Sequence, residues 1–208
     1  MTTLQLRASV AVTDAEGPGR RAAFWLQGCS IRCPGCFNPH MWSATGGRTV
    51  DVDDLAHEAT RDPAVEGVTF LGGEPFDQAE PLAQLARAVR AAGLSVMTFT
   101  GYWLEDLVAD EPPGALALLA TTDLLVDGPF DARQPDTGRP WVGSRNQRFH
   151  HLSGRYAHLG DLRSAGPDRL EVRLSPDGSV FLNGQAPPGV LPAFVRDLCL
   201  RPRPRAAQ

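Results

Sequence analysis

An α/β domain built on a largely parallel sheet is the fold class that these 208 residues predict. Two patterns point to it. Short apolar runs of strand length alternate with segments whose apolar residues recur at helical spacing. Polar or glycine-rich turns then stand where the apolar runs end, the usual place for a site in such folds.

Residues from about Leu4 to Val12 mix polar and apolar side chains and are expected to form an edge strand, followed by a turn at Glu16-Gly17-Pro18-Gly19. Ala22 to Leu26 is a buried strand that delivers the chain into a group of cysteines. From Asp51 to Arg61 the spacing of Val52, Leu55, Ala56 and Ala59 is helical, with Asp51 as N-cap. Gly67 to Leu71 reads as a second buried strand ending at Gly72-Gly73. Leu82, Leu85, Ala86 and Val89 mark an amphipathic helix closed by Gly93. Leu94 to Phe99 is a strand ending at Thr100-Gly101. Leu104, Leu107 and Val108 predict a short helix, a Pro-Pro-Gly break follows, and another helix covers about Ala115 to Ala120. Leu124 to Val126 is a further strand ending at Asp127-Gly128-Pro129. Beyond Pro135 the character changes: Arg169 to Leu174 and Val180 to Asn183 flank Pro176-Asp177-Gly178 as a β-hairpin. A final helix is expected over Leu191 to Leu200, and Arg201 to Gln208 as a solvated tail rich in arginine. The length suits a single domain, with a core over about 17–150 and a C-terminal extension over about 151–200.

Composition excludes several functions. A formal charge of −4 argues against a general binder of nucleic acid or anionic membrane, which needs a basic face. All 20 basic residues are arginine. Without lysine there is no Walker-type phosphate loop, no Schiff-base lysine and no lysine general base. No targeting segment and no run of about 18 apolar residues is visible, so the expected location is the cytoplasm.

Three of the four cysteines lie together in Cys29-Ser30-Ile31-Arg32-Cys33-Pro34-Gly35-Cys36, a C-x3-C-x2-C spacing. In a cytoplasmic chain such a cluster signals metal or redox chemistry rather than disulfides. Thiolates select zinc, copper(I) or iron–sulfur clusters. Iron–sulfur clusters normally take four cysteines, so three at motif spacing leave one iron for an external ligand. Two other readings stay open on the cysteines alone. One is a structural zinc site completed by His40 or Cys199, the other an electron-transfer cluster with Cys199 as fourth ligand. Cys199 also suits a small buried hydrophobe.

Gly72-Gly73-Glu74-Pro75 follows directly on its strand. The two glycines permit a close backbone approach to a ligand, and Glu74 is expected to present a carboxylate suited to a cationic amine. Paired with the cysteine motif, this turn resembles the radical S-adenosylmethionine superfamily. The resemblance narrows to the activating proteins of anaerobic ribonucleotide reductase. It is carried by Gly17-Pro18-Gly19-Arg20, Gln27-Gly28-Cys29, Cys33-Pro34-Gly35-Cys36-Phe37-Asn38 and Trp42. Thr100-Gly101-Tyr102, Asp127-Gly128-Pro129-Phe130 and Gly143 to Arg148 add to it. Most of the superfamily has an aromatic residue just before the third cysteine, whereas this subgroup has glycine there, as Gly35 is here. The C-terminal part extends beyond the subgroup's compact pattern.

The resemblance implies a partial (β/α) barrel, one [4Fe–4S] cluster on Cys29, Cys33 and Cys36, and S-adenosylmethionine on the open iron. The glycine-rich turn, Gly72, Gly73 and Glu74, would contact its amino group. Cleavage would yield a 5′-deoxyadenosyl radical that takes a hydrogen atom from a glycine of a partner protein. A flavodoxin- or ferredoxin-type donor would supply the electron. Asp127 and Thr100 are expected either at the cofactor or as turn and N-cap residues. Phe37 is expected either on the adenine or in the core. Asn146, Gln147 and Arg148 would order a loop or meet the partner, while His150, His151 and His158 read as structural or surface residues. Two alternatives are a radical enzyme acting on a peptide or small molecule, and a non-catalytic zinc or electron-transfer module.

Overall fold

The computed structural model describes residues 1–160, 162, 169–186 and 196. One seven-stranded sheet organises them, in the order β3-β1-β2-β4-β5-β6-β7. The strands are β1 Thr3–Thr13, β2 Arg21–Leu26, β3 Arg48–Asp51, β4 Gly67–Gly72, β5 Ser95–Phe99, β6 Leu124–Asp127 and β7 Arg148–His151. The α/β class is as expected, and β2, β4, β5 and β6 run parallel. The sheet is mixed, because β1 is antiparallel to β2 and β3, and β7 is antiparallel to β6.

The parallel strands are short apolar runs because both faces are covered. On one face Phe24, Leu26, Val68, Phe70 and Val96 meet Leu55, Leu82, Leu85, Val89 and Leu118 of the helices α1 Val52–Thr60, α2 Ala79–Ala91 and α4 Ala115–Thr121. Asp51 caps α1 as the sequence predicts, its side chain accepting from the Asp53 amide at 2.8 Å. Between β5 and α4 lies α3 Leu104–Asp110. On the opposite face Met97, Leu124 and Val126 pack with Val142 and Tyr156, and Ala23 and Trp25 pack with Val10 and Met41.

The expected hairpin is present as β8 Leu170–Leu174 and β9 Val180–Gly184. It lies against the start of the chain: Phe181 meets Trp25 edge-on at 5.6 Å, and Asn183 donates to Thr13 Oγ1 at 2.9 Å. The helix expected over 191–200, apart from Arg196, and the tail 201–208 fall outside the described residues.

Leu4 to Val12 is an edge strand only in part: β3 pairs with its start, from Thr3↔Asp51 to Leu6↔Arg48, and takes the edge there, while the remainder of β1 pairs with β2 alone. At the strand starts, at the opposite end of β2 from the cysteine loop, the fully buried Arg21 joins three parallel strands. Its guanidinium donates to Thr69 Oγ1 at 2.7 Å, Ser95 Oγ at 3.0 Å, Tyr156 OH at 2.7 Å and the Val68 carbonyl at 2.5 Å. Burial lowers its pKa, against the opposing pull of Tyr156, Asp123 and Glu66. Among the described residues no helix is long and apolar enough to cross a membrane.

Candidate iron–sulfur site

β2 is buried along its whole length and ends in Gln27-Gly28-Cys29, so a fixed strand aims the cysteine loop. The loop is closed at its root. Gly28 donates to the Met41 carbonyl at 2.9 Å and Cys29 to the Trp42 carbonyl at 3.1 Å. The buried Gln27 amide ties the returning limb by donating to the Ser43 carbonyl at 2.6 Å and the Thr45 carbonyl at 3.2 Å. Within the loop, Cys33-Pro34-Gly35-Cys36 is a tight turn, with the Cys36 amide donating to the Cys33 carbonyl at 3.1 Å. Proline at its second position and Gly35 at φ +81° are what a type II turn requires. Arg32, beside Cys33, adopts the left-handed region at φ 55°, a strain typical of functional loops.

All three thiols are free and half-buried. Burial pushes Cys29 up, against the amides of Ile31 and Arg32, which hold it down. Burial likewise pushes Cys33 up, against the Phe130 amide. Cys36 Sγ accepts from the Asn38 amide at 3.3 Å. Each sulfur is thus met by backbone N–H, the environment that suits a metal-bound thiolate. The donor set, soft sulfur with amide hydrogen bonds, fits an iron–sulfur cluster. Among the described residues no three His, Cys, Asp or Glu side chains are gathered closely enough to hold a single ion. His40 is exposed, and Cys199 falls outside the described residues.

The Gly-Gly-Glu turn abuts this loop through its backbone. Gly73 donates to the Leu26 carbonyl at 2.9 Å and Glu74 to the Gly28 carbonyl at 2.8 Å. A Cβ on Gly73 would stand 2.0 Å from the Gly28 oxygen, so only glycine allows the approach. Gly72, at φ +96°, is similarly crowded by the backbone of Trp25 and Leu26. Glu74 does not stand free at the strand end as expected. Its carboxylate is buried and accepts from the Phe76 amide at 2.9 Å, Thr100 Oγ1 at 2.8 Å and the Gly101 amide at 2.8 Å. Burial pushes its pKa up to about 7, and these three donors keep it from rising further. Glu74 therefore brackets the end of β4 to the end of β5.

Thr100 is buried, donates to Glu74 and accepts from the Tyr102 amide at 3.1 Å, a turn role. Asp127 is buried and accepts from the Leu104 amide at 2.9 Å, which caps α3 from a neighbouring strand. Burial works to raise its pKa, but Arg148, the Leu104 amide and His150 hold it below the usual value. Arg148 donates to Asp127 at 3.0 Å through Nε and also pairs with Glu105 at 2.6 Å. His150 Nε2 stands 3.0 Å from Asp127 Oδ2. Phe37 is not in the core: its ring is 76% exposed and leans on Phe130, centroid to centroid 5.1 Å. Asn146 and Gln147 order their loop, through Asn146 Nδ2 to the Pro129 carbonyl at 2.6 Å and the Gly143 amide to Gln147 Oε1 at 2.9 Å.

Sequence reasoning missed a clamp on the cysteine loop. Asp77 accepts from both the Ser30 amide and the Ser30 hydroxyl at 2.8 Å, and from Tyr102 OH at 3.2 Å. Nothing local marks Asp77, since an aspartate in the first turn of a helix is an ordinary residue there.

Comparison with known proteins agrees with this geometry. Residues 15–150 match the family described as a 4Fe-4S single cluster domain. The anaerobic ribonucleoside-triphosphate reductase-activating protein of Vibrio cholerae is 33% identical over 146 residues, 66% of this chain and 92% of that protein. Its counterpart from Escherichia coli K12 is 31% identical over 149 residues, 68% of this chain and 94% of that protein. The one from phage T4 is 31% identical over 141 residues, covering 64% and 85%. The solved structure of QueE from Escherichia coli superposes with a TM-score of 0.39 at 20% identity, over 49% of this chain and 54% of that one, too slight a likeness to argue from. The hairpin β8–β9 lies beyond the matched family segment. With its cysteine loop, its Gly-Gly-Glu turn and these relatives, the chain belongs to the 4Fe-4S single cluster domain family and, within the radical S-adenosylmethionine superfamily, to the anaerobic ribonucleoside-triphosphate reductase-activating proteins.

Proposed function

We propose that this chain installs a glycyl radical on an anaerobic ribonucleotide reductase, using one [4Fe–4S] cluster held by Cys29, Cys33 and Cys36. The observation that carries the reading is the junction of two motifs. The Glu74 amide donates at 2.8 Å to the carbonyl of Gly28, the residue before Cys29, so cluster loop and glycine turn form one backbone platform. The curated relatives supply the partner, since their name states what they activate.

When bound, the cluster supplies one electron that breaks a carbon–sulfur bond of S-adenosylmethionine, giving methionine and a 5′-deoxyadenosyl radical. The chain's own residues bind and orient. Gly72 and Gly73 let the turn pack directly on the root of the cysteine loop, where its backbone would meet the amino group of S-adenosylmethionine, and Glu74 fixes that backbone by its three internal bonds. Thr100 and Asp127 act one step back, holding the ends of β5 and β6. The exposed ring of Phe37, next to Cys36, is free to stack on the adenine. No side chain is required as acid or base. We read the parallel strands and their helices as a partial (β/α) barrel in one domain, working in the cytoplasm with a flavodoxin- or ferredoxin-type electron donor.

Anaerobic reconstitution with iron and sulfide, then dithionite and S-adenosylmethionine, tests this. The expected product is 5′-deoxyadenosine, with a glycyl-radical signal when an anaerobic reductase is added and neither in Cys33→Ala. An intact four-iron cluster that yields neither, with reductase present, would overturn the reading.

A further inference from the structure

The segment between β6 and β7, residues 128–147, returns over the cysteine loop as a strap. It is tied within itself: Arg139 donates to Asp136 at 2.6 Å and to the carbonyls of Gln147, Ser144 and Arg145, and Asn146 holds the Pro129 carbonyl. Its base is fastened where Arg148 grips Asp127. The strap reaches the cysteine loop at one place. A Cβ on Gly35 would lie 2.9 Å from Ala132 Cβ and 3.8 Å from the Phe130 ring. That ring leans on Phe37, and Gly143 leaves it room, since a Cβ there would stand 2.9 Å from the ring. The Phe130 amide faces the Cys33 thiol.

We propose that Phe130 is a positioning residue of the cluster site: its strap covers the Cys33–Phe37 corner, fixes the Cys33 sulfur and limits access of solvent to it. This rests on the reading of Cys33 as a cluster ligand. The absence of a side chain at Gly35 fits the same arrangement, because the strap occupies the space an aromatic there would need. Cluster ligands held by an outer layer lose roughly 10–100-fold in affinity when that layer is removed.

The test has two arms. In the metal-free full-length chain, cysteine alkylation is followed residue by residue by mass spectrometry. Phe130→Ala, and independently Asn146→Ala, should speed Cys33 several-fold relative to Cys29, whose thiol is met by the Ile31 and Arg32 amides of its own loop. Phe130→Tyr, which keeps the ring, should restore the wild-type ratio. In the reconstituted protein, release of iron to a chelator should be roughly 10-fold faster in Phe130→Ala. An unchanged Cys33-to-Cys29 ratio in both alanine variants overturns the proposal, as does a uniform rise of all three cysteines, which would mean general loosening. Failure of the wild type to take up iron would count against the cluster reading instead, while alkylation still decides whether the strap guards Cys33.

Discussion

Gly73→Ala tests the junction of the two motifs most sharply. The new Cβ would sit 2.0 Å from the Gly28 carbonyl oxygen and 3.0 Å from that of Leu26, both backbone atoms that cannot rotate aside. Relief requires the turn to retreat from the root of the cysteine loop by more than an ångström. Two hydrogen bonds cross that contact, Gly73 to Leu26 at 2.9 Å and Glu74 to Gly28 at 2.8 Å. Each contributes about 0.5–1.5 kcal/mol net, and forced overpacking costs about 1–3 kcal/mol. The substitution should therefore destabilise the metal-free chain by about 2–6 kcal/mol, a large share of a typical stability of about 5–15 kcal/mol. Urea unfolding measures it, with Gly154→Ala as control because nothing lies within 4 Å of its added methyl. If Gly73→Ala unfolds at the same urea concentration as the control, the tight junction is not a feature of the folded protein.

Glu74 makes a prediction about pH. Its pKa is raised on folding, from an ordinary 4.5 to about 7. Its contribution therefore favours the fold below pH 4.5 and is lost as the pH climbs through 7, a change on the order of ~3 kcal/mol at ~1.4 kcal/mol per pKa unit. Glu74→Gln removes the ionisation, so its stability should fall less than wild type between pH 4.5 and 8 in urea titrations; parallel curves would refute the assignment. Asp77→Asn should weaken the clamp on Ser30 and Tyr102 and speed iron release from the reconstituted protein roughly 10-fold, measured with a chelator, whereas an unchanged rate would make the clamp incidental.

The parts of the fold that were legible in the sequence are those fixed by local pattern. β2, β4, β5 and β6 are apolar runs because both their faces are covered, and α1 and α2 carry apolar stripes and recognisable ends. β3 and β7 were not legible. Arg-Thr-Val-Asp and Arg-Phe-His-His show no burial pattern because edge strands are held by backbone pairing on one side. At the site, cysteine spacing and the two glycines announce themselves because geometry restricts those positions to one residue type. Glu74 misled, since a carboxylate at a strand end looks available until Thr100 and Gly101, far along the chain, are seen to enclose it. Asp77 was invisible as a site residue for the same reason, and Phe130, although part of a resembling motif, gave no sign of its approach to Cys33: their partners Ser30 and Cys33 are distant in sequence and adjacent only after folding.

The most direct test of the account is the iron and acid-labile sulfide content of the anaerobically reconstituted chain, beside Cys29→Ala, Cys33→Ala and Cys36→Ala. The account predicts about four irons and four sulfides per wild-type chain, with loss of the intact cluster in every one of the three variants. One bound zinc without sulfide, or a full cluster surviving any of the three substitutions, would contradict it.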